Sequence, residues 1–240
     1  MSRERAIQTI AVAGGGIVAL SASTAFARAL PGTKVTLIQT APDPAALADL
    51  MPAAGPGVAR FHAALGLGEL ELVRAGIATH RLGTTFRAWS ANGDEWTHAF
   101  GAYGKPAGAI PFDQVWCRAR RVGAALPYDR YSIGAALARA GKFVHPARDP
   151  DSLGSRFDYG LRFDPDLYRA RLAHQAAASG VSTLRSEIRD LERNGDALAA
   201  LLLADGSRVE ADLFIDCIGP SARLIGALED SFEDWSEWLP

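Results

Sequence analysis

Gly14, Gly16 and Ala19 stand in the spacing G-x-G-x-x-G/A, a pattern whose residue types suit phosphate binding. The first glycine lets the chain turn tightly. The second lets a pyrophosphate approach the main chain, and the small third residue lets helix and strand pack closely. Free N–H groups at the start of the following helix would then face the phosphates, helped by the helix dipole. The pattern carries weight only between a strand and a helix. Ile7 to Leu20 provides that setting: an apolar run, then Gly14-Gly15-Gly16, then an alanine-rich segment. A second apolar run, Lys34 to Gln39, follows at the distance of a β-α-β unit. At its end an acidic residue usually takes the ribose hydroxyls; Gln39 stands there, a neutral and weaker partner.

Other chemistry-bearing residues are sparse. Cys117 and Cys217 are far apart and lack a metal spacing, so they read as reduced, small apolar fillers of a cytoplasmic protein. His98, His145 and His174 show no ligand spacing either, and no metal site is assigned. Trp89, Trp96 and Trp116 read as core or interface packing. No G-x-S-x-G elbow occurs.

The opening run admits a second reading. Arg3 and Arg5 could form a positive n-region, Ile10 to Leu20 an apolar h-region, and Ala25-Phe26-Ala27 a cleavage site. Three glycines inside the apolar stretch argue against it. Cleavage would also remove the first strand and leave Lys34 to Gln39 unpaired.

Composition points to a soluble globular protein, 48% hydrophobic and 22% charged. A net charge of −2 gives no sign of a nucleic-acid partner, and no apolar run is long enough to span a membrane.

These residues need elements to position them. A helix over Leu20 to Leu30 is predicted, closed by Pro31-Gly32. Residues 41–57, rich in Pro, Ala and Gly, have little to fix a conformation. Short helices follow over Arg60 to Leu65 and Glu69 to Gly76. Thr84 to Ser90, the turn Asn92-Gly93 and Trp96 to Phe100 read as a hairpin. Helical spacing returns over Phe112 to Gly123 and Tyr131 to Ala140. Residues 164–179 form a further helix, with Asp164 as N-cap, Pro165 at its first position and Gly180 after its end. A meander is expected from Thr183 to Leu191, Ala197 to Leu203 and Val209 to Asp216, with Asn194-Gly195 and Asp205-Gly206 as turns. Leu213 to Gly219 repeats the opening logic, a buried strand running into a glycine. The fold class is therefore α/β, Rossmann-like, with a β-meander and a helix-rich insertion. The expected organisation is one domain over 1–240. Residues 1–85 and 157–228 form the nucleotide-binding core, 86–156 the insertion and 229–240 an acidic tail with two tryptophans.

From about Ile10 to Pro240 the chain resembles the flavin-dependent tryptophan halogenases, within the FAD-dependent monooxygenase group. The resemblance rests on Gly14-Gly15-Gly16, Phe61-His62 with Leu65-Gly66-Leu67, and Leu82-Gly83 with Phe86-Arg87-Ala88-Trp89. Ile110-Pro111-Phe112 with Trp116, Phe163-Asp164 with Leu167-Tyr168, Asp212 to Cys217 and Phe232 to Pro240 extend it. It implies an FAD/NAD(P)-binding three-layer fold. Members bind reduced FAD, supplied by a separate flavin reductase, and react it with oxygen to oxidise chloride or bromide. A lysine directs the oxidised halogen onto an indole or similar ring. Carried over, the cofactor would meet Gly14, Gly15, Gly16, Ala19, Gln39 and Gly219, with the main chain at Ile188 near the adenine.

The chain departs from that pattern where the chemistry lies. Arg81 occupies the lysine position; a guanidinium stays protonated and does not form a chloramine as an amine does. Its neighbour His80 is a substitute of the right type, though a lone histidine more often packs. Met51-Pro52-Ala53-Ala54 replaces a Gly-Glu-Ala-Thr stretch, removing a carboxylate, and Cys217-Ile218-Gly219-Pro220 lacks the usual threonine and aromatic. The C-terminal half of the family fold, with its Trp-x-Trp-x-Ile-Pro motif, is absent from these 240 residues. Three readings stay open: a halogenase acting on tryptophan or another aromatic, a catalytically degenerate FAD-binding or interaction module, and one half of a split halogenase. Apolar surface left uncovered would favour pairing with a second copy or a second chain.

Overall fold

Thr9 to Ala13 is almost wholly apolar, and four of its five residues are buried, as a central parallel strand requires. The computed structural model describes residues 6–89, 93, 95–228 and 233–238. In chain order these form β1 (Thr9–Ala13), α1 (Ile17–Ala29), β2 (Lys34–Gln39), α2 (Leu47–Leu50), β3 (Ala53–Ala54), α3 (Val58–Leu65), α4 (Glu69–Arg74), β4 (Ala78–Arg81), β5 (Gly83–Phe86) and β6 (Trp96–Ala99). There follow α5 (Phe112–Arg121), α6 (Ile133–Arg139), β7 (Gly160–Phe163), α7 (Pro165–Ala178), β8 (Ser182–Arg185), β9 (Ile188–Asn194), β10 (Ala197–Leu203), β11 (Arg208–Glu210) and β12 (Leu213–Asp216).

Contacts group the chain into two compact units. The first comprises residues 1–52, 62–71 and 164–240. Its parallel sheet runs β12-β1-β2-β8. Alternation along a strand sends Ile10 and Val12 to one face of β1 and Ala11 and Ala13 to the other. On the second face Ala11, Ala13 and Ile38 pack against Ile188, Leu201, Leu203 and Leu224. Most of those come from the antiparallel meander β9-β10-β11. α1 packs against α7, and both bury apolar stripes. Helices, parallel sheet and meander make the expected three layers.

Local chemistry explains the boundaries. α1 buries Ser23 and Thr24, whose hydroxyls donate to Ala19 and Leu20 carbonyls and so are satisfied within the helix. The Asp164 carboxylate accepts from Asp166 and Leu167 N–H, with Pro165 at the first turn of α7. Asp212 accepts from the N–H groups of Gln8 and Thr9 at 2.9 Å each, pinning the start of β12 beside β1.

Two expected strands are each divided between sheets. Thr183 to Leu191 breaks at Ser186-Glu187; β8 joins the parallel sheet while β9 opens the meander. Val209 to Asp216 likewise breaks before Leu213, giving β11 to the meander and β12 to the parallel sheet. In both cases the apolar run continues while the chain changes layers, so periodicity conceals the break. Residues 41–57, whose composition does little to fix a conformation, contain the short elements α2 and β3.

The second unit comprises residues 53–61 and 72–163. It holds the antiparallel sheet β3-β7-β4, the β5-β6 hairpin, α5 and α6. The expected hairpin turn at Asn92-Gly93 lies partly outside the described residues, as do parts of the n-region around Arg3 and Arg5 and of the tail 229–240. Trp89 is 76% exposed, which leaves interface packing of the two roles expected for it. One packing assignment needs correction: Cys117 is exposed on the strongly charged helix α5 and does not act as a filler. Among the described residues no helix is long and apolar enough to cross a membrane.

Candidate functional site

The glycine turn between β1 and α1 is shaped by the protein's own close packing. Gly14 has φ +143°, a conformation other residues avoid, and a Cβ there would lie 2.3 Å from the Cys217 carbonyl oxygen. On Gly15 it would meet the Thr40 carbonyl oxygen at 1.9 Å. Ala19 is fully buried, and its Cβ would lie 3.1 Å from a Cβ on Gly14, a further reason for glycine at position 14. Gly14, Gly15, Gly16, Ala19 and Gly219 thus gather at the C-terminal ends of β1 and β12, the usual nucleotide side of such a sheet.

Asp49, from α2, is what sequence reasoning missed. Its Oδ1 accepts from Ile17 N–H, the first residue of α1, at 2.9 Å. A Cβ on Gly16 would lie 2.1 Å from Asp49 Oδ2, so the second glycine makes room for this carboxylate. The carboxylate is only 8% exposed, and Arg169 of α7 approaches it at 3.3 Å. Its only signal in the sequence is that Asp43 and Asp49 are the sole charges in residues 35–59.

Beside this point lies a cavity of about 180 Å³, lined by Gly16, Val18, Cys217 and Gly219 and by the carboxylates of Asp43, Asp49 and Asp216. Gly219 has φ +120°, and a Cβ there would lie 2.8 Å from Asp43 Oδ2. Asp216 accepts from the N–H groups of Ile218, Leu224 and Ile225, which folds the segment after β12 back on itself. Ligand pockets usually measure about 300–1,000 Å³. The main-chain frame therefore fits a dinucleotide, whereas the side-chain arrangement does not: a carboxylate holds the helix N-terminus where a diphosphate would be stabilised.

Gln39 ends β2, half-buried. Ile188 begins β9 with its side chain in the core at 2% exposure, so only its main chain could meet a ligand.

Arg81 belongs to the second unit. It ends β4, opposite Gly160 of β7. Its guanidinium donates to Thr84 Oγ1 and lies 5.3 Å above the Phe100 ring. It lines a cavity of about 480 Å³ together with Leu82, Thr97, Lys142, Phe143 and Arg162, and among the described residues no carboxylate contributes to that wall. His80, the neighbouring candidate, stacks on Phe143 at 3.8 Å between centroids and meets Tyr159 and His145 edge-on. Stacking is thus an established role for His80 in this structure.

The tryptophan halogenase family model matches residues 9–240. Tryptophan 7-halogenase RebH of Lentzea aerocolonigenes is 28% identical over 260 residues, covering 97% of this chain and 46% of the relative. Among solved structures, BrvH, a flavin-dependent halogenase from Brevundimonas sp. BAL3, has 36% identity and a TM-score of 0.84, covering 98% of this chain and 47% of its own. Xcc4156, a flavin-dependent halogenase from Xanthomonas campestris, has 29% identity and a TM-score of 0.83 over the same shares. The chain spans about half the length of the relatives it matches.

Proposed function

The chain belongs to the tryptophan halogenase family, and on that premise we propose that it acts as the flavin-binding part of a flavin-dependent halogenase whose substrate is an electron-rich aromatic ring. The observation that carries this reading is the β1-α1 turn, where a Cβ on Gly14 or Gly15 would strike the main chain of Cys217 or Thr40. The likeness to BrvH over nearly the whole chain supports it. The glycine turn would face the FAD diphosphate, although Asp49 holds the N-terminus of α1, and Gln39 would meet a ribose hydroxyl and the main chain at Ile188 the adenine. When bound, reduced flavin would supply the electrons for activating oxygen toward halide oxidation, and a flavin reductase would deliver it.

Arg81 would place a fixed positive charge and a hydrogen-bond fork at the wall of its cavity. It differs from a lysine there in having no free amine, so its role is to orient a negative or strongly polar group rather than to carry halogen covalently. A second reading, a flavin-binding module without halogenation, is favoured by this same substitution and by the occupied helix N-terminus.

Titration of FAD with the purified chain tests the common part of both readings. Saturable fluorescence quenching with a shifted visible band is expected, and no binding at high FAD overturns both. Turnover of tryptophan with halide, oxygen and a flavin reductase then separates them.

A further inference from the structure

We propose that the cavity beside Arg81 selects an aromatic substrate bearing an anionic group, and that Lys142 and Arg162 bind that group. The inference rests on the aromatic-substrate reading above and narrows it to acids. It starts from charge. Arg81, Lys142 and Arg162 line one cavity of about 480 Å³, and among the described residues no carboxylate joins them there. Nor does any of the three form an ion pair with a described residue. Asp129 bonds to the N–H of Thr97, a residue of the same wall, but its carboxylate is paired with Arg139 at 3.0 Å.

Strand register brings two of these charges together. In the antiparallel pair β4-β7, Arg162 stands opposite Thr79 and Arg81 opposite Gly160. Thr79 and Arg81 are two residues apart, so they and Arg162 share one face of the sheet. Arg81 and Arg162 are then diagonal neighbours, about 7–8 Å apart by strand geometry. Like charges at that separation repel, a cost that a bound anion removes. Lys142 is placed by a helix ending. Gly141 follows α6 with φ +62°, its N–H donates to the Ala138 carbonyl, and the Lys142 N–H donates to the Leu137 carbonyl. These two bonds form a Schellman closure, which fixes the main chain at Lys142.

The rest of the wall suits a ring. Leu82, Ala138 and Phe143 supply apolar surface, and Phe143 is held by stacking on His80 at 3.8 Å between centroids. The volume falls within the roughly 300–1,000 Å³ of small-molecule pockets, so a bare halide ion would leave most of it unfilled. Arg81 is committed to Thr84 and Phe100. Lys142 and Arg162 are exposed and left for an incoming anion. A guanidinium takes a carboxylate through two parallel hydrogen bonds, and an ammonium adds a point charge.

The test compares one ring at three charges: indole-3-propionate, indole and tryptamine, each titrated calorimetrically into the purified chain. The acid is expected to bind at least about tenfold more tightly than indole, the gain of one charge-assisted hydrogen bond, and tryptamine more weakly than indole. Acetate, which has the charge without the ring, should bind at least about tenfold more weakly than the acid. K142A/R162A should bring the acid to the level of indole and leave indole unchanged, which also shows that the variant is folded. K142E/R162E should bind tryptamine more tightly than wild type, a gain that misfolding does not imitate. Equal affinities for acid and indole overturn the proposal, as do acetate binding as tight as the acid, an acid affinity untouched by K142A/R162A, or no binding of any of the three ring compounds. No flavin enters these titrations, so the cofactor reading stands or falls separately by FAD binding.

Discussion

His62 and Tyr168 meet across one buried hydrogen bond, with 2.8 Å between Nε2 and the phenolic oxygen. They join α3 to α7 within the first unit, and they are 1% and 4% exposed. Burial pushes the His62 pKa below its usual 6.5, against a smaller opposing pull from Glu69. It pushes Tyr168 up to about 12. The pair therefore works with a neutral imidazole and a neutral phenol. Below pH 6.5 the unfolded chain takes up a proton that the folded His62 refuses, so stability falls as pH drops from 6.5 toward the folded pKa. Thermal midpoints between pH 5 and 8 should show that fall in the wild type and a shallower one in His62→Gln. An identical slope in both proteins refutes the assignment. Tyr168→Phe removes the bond at constant pH and should cost about 1–2 kcal/mol in urea unfolding.

Asp216 secures the segment after β12 by accepting from Ile218, Leu224 and Ile225 N–H at 3.1, 2.7 and 3.2 Å. Leu224 is buried in the core beneath the meander, so loosening this segment also loosens the packing under β9 and β10. Hydrogen bonds to an ionised acceptor are worth about 1.5–3 kcal/mol each at most, with partial compensation by water after truncation. Asp216→Ala should therefore lose about 2–3 kcal/mol, and Asp216→Asn, which keeps one acceptor, clearly less. Equal urea midpoints for the wild type and the alanine variant would show that water replaces the carboxylate at no cost.

The parallel core was legible because each of its signals is local. An apolar strand, a glycine turn and a helix closed by Pro31-Gly32 fix β1, α1 and β2, and Asp164-Pro165 fixes the start of α7. The meander turns at Gly195 and Gly206 were legible for the same reason, since both glycines take positive φ. The division of two apolar runs between sheets was not, because Ser186-Glu187 and Ala211-Asp212 interrupt no periodicity strongly enough to announce a change of layer. Cys117 was misplaced by residue-type averages, which say nothing of the face a particular chain exposes. Asp49 was hidden for a further reason: its role comes from a contact with Ile17, 32 positions away along the chain, in a segment with no pattern of its own.

The two cysteines should differ sharply as nucleophiles. Cys117 is exposed on α5. Cys217 is half-buried, and burial together with the neighbouring Asp216 carboxylate pushes its thiol above the usual 9.0. Reaction requires the thiolate and access to the reagent, and Cys217 lacks both near neutral pH. With a chromogenic disulfide at pH 8, one equivalent should react fast and a second at least about tenfold more slowly. Cys117→Ser should abolish the fast phase, and urea should make both equivalents fast. Two equal fast phases in the folded protein would place Cys217 at the surface, contrary to its position against Gly14.

Arg81 offers the sharpest functional prediction, because its chemistry and its packing can be separated. The guanidinium donates to Thr84 and lies over Phe100, contacts that fix its position on the cavity wall. Arg81→Lys keeps the charge, forfeits the fork and places a primary amine on the same end of β4. The loss of this half-buried cation–π contact is worth about 0.5–2 kcal/mol, so the variant should remain folded. If the proposed halogenation proceeds at this cavity, Arg81→Lys should raise product formation from tryptophan and bromide, with FAD and a flavin reductase present, above the wild type. Arg81→Ala, lacking both amine and charge, should fall below it. Equal product from the lysine and alanine variants would move the halogen-transfer step away from β4. Unchanged FAD affinity across all three proteins would assign the differences to this cavity rather than to the cofactor frame.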